Sequence, residues 1–328
     1  MVIQGPAVQV TRARRRSRVL VPSALACLST LPTINLTAGC LHDCAYCYIR
    51  GYSGYPGERT AVLYEDTPER LEHELGRAKV KPRAVYFSPS SDLFQPHPDI
   101  QDCAERVLGI LFRHGVGVAF LSKGVIPERA MALLEAHAHL VQAQIGLIST
   151  TDDVARTFEP GAAPPARRLE QMEHLVRARI STAVRMDPIL PGITDSDDEL
   201  AGLFEGVAAA GVTAASVGIL FSRRSITSSL RQATGPLADR VPAMLARFKH
   251  GGSIEMRGAG TGVGVLAMAE REAIFSRVRR HAAARGIEVR ICACKNTDIA
   301  VGSCNIAGRW PRTATPRQIP LSTEMLHR

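Results

Sequence analysis

Aromatic residues are scarce, 5% of the chain with a single tryptophan, so the sequence lacks a clear platform on which single-stranded bases would stack. No apolar run approaches the ~18 residues of a membrane-crossing helix, which leaves a soluble chain with no membrane partner. Cysteine is not spread out as in a disulfide framework. Six of the eight stand in two tight groups, Cys40, Cys44 and Cys47, then Cys292, Cys294 and Cys304. That usage points to metal chemistry in a reducing cytoplasm. No repeat is visible beyond an alternation of strands and helices, and Gly258-Ala-Gly260-Thr-Gly-Val-Gly264 lacks the spacing of a dinucleotide fingerprint. It reads as a loop.

What is present is ordinary for a globular chain: 45% hydrophobic residues and a mean hydropathy of +0.01 over 328 residues. That length suits one α/β barrel with extensions as well as two domains. A net charge of +9 permits contact with phosphates, in nucleic acid or in a nucleotide-like small molecule. Part of the excess, Arg12, Arg14, Arg15, Arg16 and Arg18, falls in residues 1-30, read as a flexible basic arm. Arg15-Arg16 before Val19-Leu-Val21 loosely mimics an export signal, but Pro22 interrupts the apolar run and the chain leads straight into a strand.

The organising stretch is Cys40-Leu-His-Asp-Cys44-Ala-Tyr-Cys47. Three thiolates within eight residues suit an iron-sulfur cluster or zinc. Zinc needs a fourth ligand, for which His42 lies nearby but inside the loop. Three ligands to a 4Fe-4S cube would leave one iron open to a small molecule.

Around this loop the chain alternates. Strands are expected at Thr33-Leu36, Arg83-Phe87, Val116-Leu121, Leu140-Ile148, Ile180-Met186 and Ala214-Phe221. Helices are expected from Thr67-Pro68, over Pro98-His114, from Pro127, over Pro165-Arg177, and from the capping pair Ser196 and Glu199. Six strands alternating with helices imply a parallel, right-handed α/β architecture with ligands at the strands' carboxyl ends. Ser222-Gly235 and Gly251-Gly264 read as loops, with helices at about Pro236-Phe248 and Val265-Ala284 and a last strand at Ile287-Ile291.

The C-x3-C-x2-C loop, with Tyr46 before its last cysteine and a short strand ahead of it, resembles the cluster loop of the radical S-adenosylmethionine (SAM) superfamily. The local likeness is to its spore photoproduct lyase branch, the DNA-repair photolyase-like proteins. It is carried by Asn35-Leu-Thr-Ala-Gly-Cys40 with Tyr46-Cys-Tyr48, by Ser91-Asp92 with Gln95-Pro96, and by Phe158-Glu-Pro160 with Arg185 and Ile189-Leu-Pro-Gly192. The resemblance implies a partial (β/α)6 barrel over residues 31-222 and a C-terminal extension over 223-328. It implies a 4Fe-4S cluster on Cys40, Cys44 and Cys47, SAM as cofactor, and an electron donor such as ferredoxin or flavodoxin.

It further implies Tyr46 near the adenine, Ser88, Ser90 and Ser91 near the methionyl amine, and Ser149 and Thr150 near the ribose. Arg185 would pair with the carboxylate, and Ile189, Pro191 and Gly192 would lie under the adenine. Pro89 stands where the lyase carries its hydrogen-donating cysteine, and Cys103 reads as a buried helical thiol.

Cys292, Cys294 and Cys304 form a second trio, read as an auxiliary 4Fe-4S site with a fourth ligand from Asp298, Asn305, another side chain or the substrate. Zinc is the alternative. The leading expectation is a radical SAM enzyme that cleaves SAM to a 5'-deoxyadenosyl radical and abstracts hydrogen from a small polar, nucleoside- or sugar-like metabolite. The auxiliary cluster would bind that substrate or donate sulfur to it. The alternatives are modification or repair of nucleic acid, and a non-catalytic iron-sulfur or zinc module.

Overall fold

A computed structural model describes residues 8-23, 26-256, 262-300 and 304-310. The amino-terminal part contributes β1 (Gln9-Ala13), β2 (Val21-Pro22), β3 (Pro32-Ile34), β4 (Thr37-Gly39) and β5 (Thr60-Tyr64). Then come β6 (Ala84-Phe87), β7 (Gly117-Ser122), β8 (Val141-Gly146), β9 (Ser181-Ile189) and β10 (Ala214-Ile219). The chain continues with β11 (Ser253-Glu255), β12 (Gly262-Gly264) and β13 (Glu288-Ile291).

The main sheet runs β13-β10-β9-β8-β7-β6-β3-β2, with every pairing parallel except β2 with β3. β6 and most of β7 are near-continuous apolar runs, as expected where both faces of a parallel sheet are covered, whereas β8 and β9 carry Gln142, Gln144, Arg185 and Asp187. Helices between successive strands bury one stripe each. Leu71 and Leu75 of Thr67-Arg77 are fully buried, as are Ala104, Val107, Leu108 and Leu111 of Pro98-Arg113. Burying each such leucine contributes ~1.5-3 kcal/mol. Ser196 caps Asp197-Ala209 by accepting from the Glu199 amide at 3.3 Å. Cys103 is buried on its helix.

The strand-helix alternation expected from the sequence is therefore the α/β fold observed, and β13 of the extension adds directly to β10. Other expectations change. The basic segment is laid against the fold: β1 pairs with β5, and Arg15 is buried with its guanidinium 4.4 Å from the Tyr64 ring. Arg12 pairs with Asp99 at 2.7 Å.

Part of the expected loop after Ser222 is the helix Arg224-Arg231, which buries Ile226 and Leu230. Within Gly251-Gly264, β11 and β12 pair antiparallel, while Gly258 to Thr261 lie outside the described residues. The expected Pro236-Phe248 helix is three short turns, Ala238-Arg240, Val241-Ala246 and Arg247-His250.

Candidate active site

The loop of Cys40, Cys44 and Cys47 leaves the end of β4. Gly39 takes φ +80°, where an added Cβ would lie 2.3 Å from the Thr60 carbonyl oxygen, so only glycine fits the turn. The loop is then docked by backbone contacts. The Leu41 amide donates to Gln95 Oε1 at 2.8 Å, the Ala45 amide to the Phe158 oxygen at 2.9 Å, and the Gly161 amide to the His42 oxygen at 2.9 Å. Gly161 is required for that approach, since a Cβ there would meet the Leu41 oxygen at 2.2 Å.

His42 is not free to complete a zinc set. Its Nδ1 lies 2.9 Å from the Gly161 oxygen and its Nε2 3.2 Å from Asp92 Oδ2. Asp92 also accepts from the Ser122 hydroxyl and from the Phe94 and Lys123 amides. Burial pushes its carboxyl up, but His42 and these donors outweigh burial and hold it below the usual range.

Tyr46 is buried, and its hydroxyl donates to Glu159. Glu159 also pairs with Arg168 Nη2 at 2.6 Å, with Lys123 Nζ 3.9 Å away. Arg168 is fully buried and donates to the Ala163 and Gly146 oxygens at 2.8 Å each. Burial raises the Glu159 carboxyl, and the Arg168 and Lys123 charges more than reverse it. This network fixes the loop's inner side.

One cavity of about 240 Å³ is lined by Cys40, Cys44 and Cys47 together with Tyr46, Ser88, Ser90, Ser91 and Arg185. Burial pushes all three thiols up, so a soft cation, rather than the surrounding protein, is what would favour their thiolates. Among the described residues the buried hydroxyls of Ser88 and Ser91 have no hydrogen-bond partner. Unpaired buried hydroxyls on a cavity wall are costly, and here they suit a ligand with charged donor and acceptor ends. Three thiols and two orphaned hydroxyls thus fit a 4Fe-4S cluster and SAM.

The remaining expected residues lie elsewhere. Ser149 donates to Glu199 Oε2 at 2.6 Å, and neither it nor Thr150 lines the cavity. Ile189 is part of the main core. Pro191 and Gly192 line a separate recess with Arg240 and Arg247, and the Gly192 amide donates to Asp195 Oδ1 at 2.6 Å. Arg185 does reach the cavity, but its guanidinium already pairs with Asp187 at 2.7 Å and lies 3.7 Å from Cys304 Sγ and 4.0 Å from Cys292 Sγ. Lys295 Nζ donates to both Asp187 oxygens at 2.8 Å.

Cys292 and Cys294 line the same cavity as the first trio, and so does Cys27, to which sequence spacing assigned nothing. Cys27 packs on the same group as Ile306 and Ala307, just past Cys304. Hydrogen bonds from Cys27 and Cys292 pull Cys294 and Cys304 below the usual thiol range. Among the described residues no three such side chains converge as they would on a single ion. Cys27, Cys292 and Cys294 instead share the wall of one cavity, with Arg185 reaching both Cys292 and Cys304. Asp298, an expected fourth ligand, is taken by Arg271, whose Nη1 lies 2.9 Å from its Oδ1.

The strands' inner faces are filled by the carboxyl-terminal segment. Ile306, Ala307 and Trp310 pack with Leu28, Tyr86 and Ala119, and the Ser216 hydroxyl donates to the Cys304 oxygen at 2.8 Å. No described helix is long and apolar enough to cross a membrane.

Spore photoproduct lyase has a similar fold. A mutant of it with bound AdoMet and dinucleoside spore photoproduct superposes with a TM-score of 0.64 at 15% identity, covering 85% of this chain and 81% of that one. Uncharacterized proteins of Mycobacterium tuberculosis and Mycobacterium bovis are 29% identical over 206 residues, 60% of this chain and 60% of theirs. The match thus spans about three fifths of those relatives. A radical SAM Nalpha-GlyT isomerase of Pseudomonas phage M6 is 29% identical over 173 residues, 52% of this chain and 35% of that protein. The profile of the Radical SAM superfamily matches residues 34-204, more than half of the 328 and the span that carries the three-thiol loop and the strands around its cavity. The chain therefore belongs to the Radical SAM superfamily, an enzyme family whose members use a 4Fe-4S cluster, SAM and a reductant.

Proposed function

We propose that this protein abstracts hydrogen from a small polar, nucleoside-like substrate held in the cavity between its two cysteine groups, with a second iron-sulfur cluster on the later group. The carrying observation is that one cavity is lined by Cys40, Cys44 and Cys47 and also by Cys292 and Cys294, together with Ser88 and Ser91, whose hydroxyls are orphaned. Cys40, Cys44 and Cys47 hold the first cluster, and Ser88 and Ser91 meet the charged methionyl end of SAM. When bound, that cluster supplies the electron that breaks SAM's C5'-S bond to give the 5'-deoxyadenosyl radical.

The chain's own residues set the conditions. Gln95, Gly161 and the Glu159-Arg168 pair fix the loop, and Tyr46 and Tyr48 wall it from water. Arg185, Asp187 and Lys295 offer a hydrogen-bonded polar floor for substrate heteroatoms. Ligation of substrate by the second cluster, or donation of its sulfur, requires an open corner at that site.

A second reading, action on a base within nucleic acid, is favoured by the similarity to the lyase with its dinucleoside photoproduct. The test is 5'-deoxyadenosine formation by anaerobically reconstituted protein with SAM and dithionite, offered nucleosides, nucleotides or oligonucleotides. Turnover stimulated by nucleosides and absent in Cys40→Ala is expected. Ser88→Ala should weaken SAM binding roughly 10- to 100-fold, the worth of a hydrogen bond to a charged group. Stimulation by oligonucleotides alone would select the second reading, and no SAM cleavage at all would reject both.

A further inference from the structure

We infer that Cys27 is the fourth thiolate of the second iron-sulfur cluster, so that the cluster is closed on every corner and offers no iron to substrate. The inference rests on the proposed presence of that cluster and goes beyond it by naming the ligand that completes it.

Cys27 comes from the opposite end of the chain, on the short turn Ala26-Leu28. That turn is held in place because Leu28 is fully buried against Tyr86 and Ala119, with Cys27 packed on the same group. The placement puts Cys27 on the wall of the cavity that Cys292 and Cys294 also line, and in the group where Ile306 packs two residues past Cys304. A three-cysteine site would leave its fourth ligand position to solvent or substrate. Here a fourth soft donor of the same kind occupies it.

The rival ligands are engaged. Asp298 is bound to Arg271, Asn296 donates its amide to the Cys292 oxygen at 3.0 Å, and Asp187 is bound by Arg185 and Lys295. The surroundings also suit a set with four anionic sulfurs. Two cations, Arg185 and Lys295, stand beside these cysteines against one carboxylate, Asp187, and Arg185 points N-H groups at Cys304 and Cys292 from 3.7 and 4.0 Å. Such N-H to sulfur contacts stabilise an anionic cluster. Four thiolates satisfy a 4Fe-4S cube completely.

The experiment uses the full chain carrying Cys40/Cys44/Cys47→Ala, which isolates the second site, reconstituted without oxygen. Iron, sulfide and zinc are measured, with EPR of the reduced protein before and after excess cyanide. The expected result is about four irons and a spectrum that cyanide leaves unchanged. Adding Cys27→Ser should lower the iron to about three with a 3Fe-4S signal, or abolish it. The cyanide arm needs no further substitution and so does not depend on how well the Cys27 variant folds.

A cyanide-shifted spectrum in the parent, or four irons with an unaltered spectrum after Cys27→Ser, would overturn the role of Cys27 while leaving the second cluster standing. A parent that holds zinc or no iron would instead overturn the cluster on which the inference rests.

Discussion

Glu159 is a buried carboxylate whose partners come from three elements: Tyr46 on the cysteine loop, Lys123 after β7 and Arg168 on the helix Pro165-Arg177. Removing one partner of a buried pair leaves an uncompensated charge, which costs ~3-5 kcal/mol. Arg168→Met should therefore lower unfolding stability by about that much at neutral pH, measured by urea denaturation of the cluster-free protein. The pH dependence has a fixed sign. The Glu159 carboxyl lies lower in the folded protein than its ordinary 4.5. Its contribution is complete above the unfolded value and is lost as pH falls through the folded one. The gap between wild type and Arg168→Met is widest at neutral pH and narrows on acidification below about pH 4. A gap that stays constant down to acid pH would show that Arg168 acts through packing alone.

At the scale of elements, the segment 304-310 is the piece that local sequence reading could not place. Trp310, the only tryptophan, lies over Gly117 at the start of β7, where an added Cβ would come within 2.4 Å of its ring. Gly117→Ala should therefore push Trp310 off the sheet. A red-shifted emission and faster acrylamide quenching are expected, with unchanged far-UV circular dichroism. Identical fluorescence would mean that the segment does not rest on β7.

The elements that were legible share one property: their signal is local. Proline at a first helical turn marks Thr67-Arg77, Pro98-Arg113 and Pro165-Arg177, and short apolar runs mark β6 to β10. The first cysteine trio is equally local. Ile226 and Leu230 lie one helical turn apart and were a readable sign of the helix Arg224-Arg231, obscured by the serines and arginines around them. Cys27 carried no such sign. Its partners are at the other end of the chain, and only the path of the sheet brings them together. The same holds for Arg15, whose burial against Tyr64 depends on β1 pairing with β5, and for Ser149, whose hydroxyl is drawn to the Glu199 of a later helix.

For the whole molecule, the proposed second cluster would join residues far apart in the chain across an open sheet. Among the described residues neither edge strand, β2 or β13, has a second partner in that sheet, so no described hydrogen bonding closes it into a barrel. A metal centre held by Cys27 on one side and by Cys292, Cys294 and Cys304 on the other would act as a cross-link of a loop well over 100 residues long. Loop-closure entropy assigns roughly 5 kcal/mol to such a link. At roughly 2-4 °C per kcal/mol for a chain of this size class, stripping iron from the Cys40/Cys44/Cys47→Ala protein should lower its Tm by on the order of 10 °C. It should also expose the segment beyond Cys304 to protease. The same treatment of a protein that also carries Cys27→Ser should move Tm far less, because the link between the ends is already gone. Equal losses in the two proteins would mean that the centre stabilises only its own carboxyl-terminal loop, and that the sheet holds the chain ends together without it.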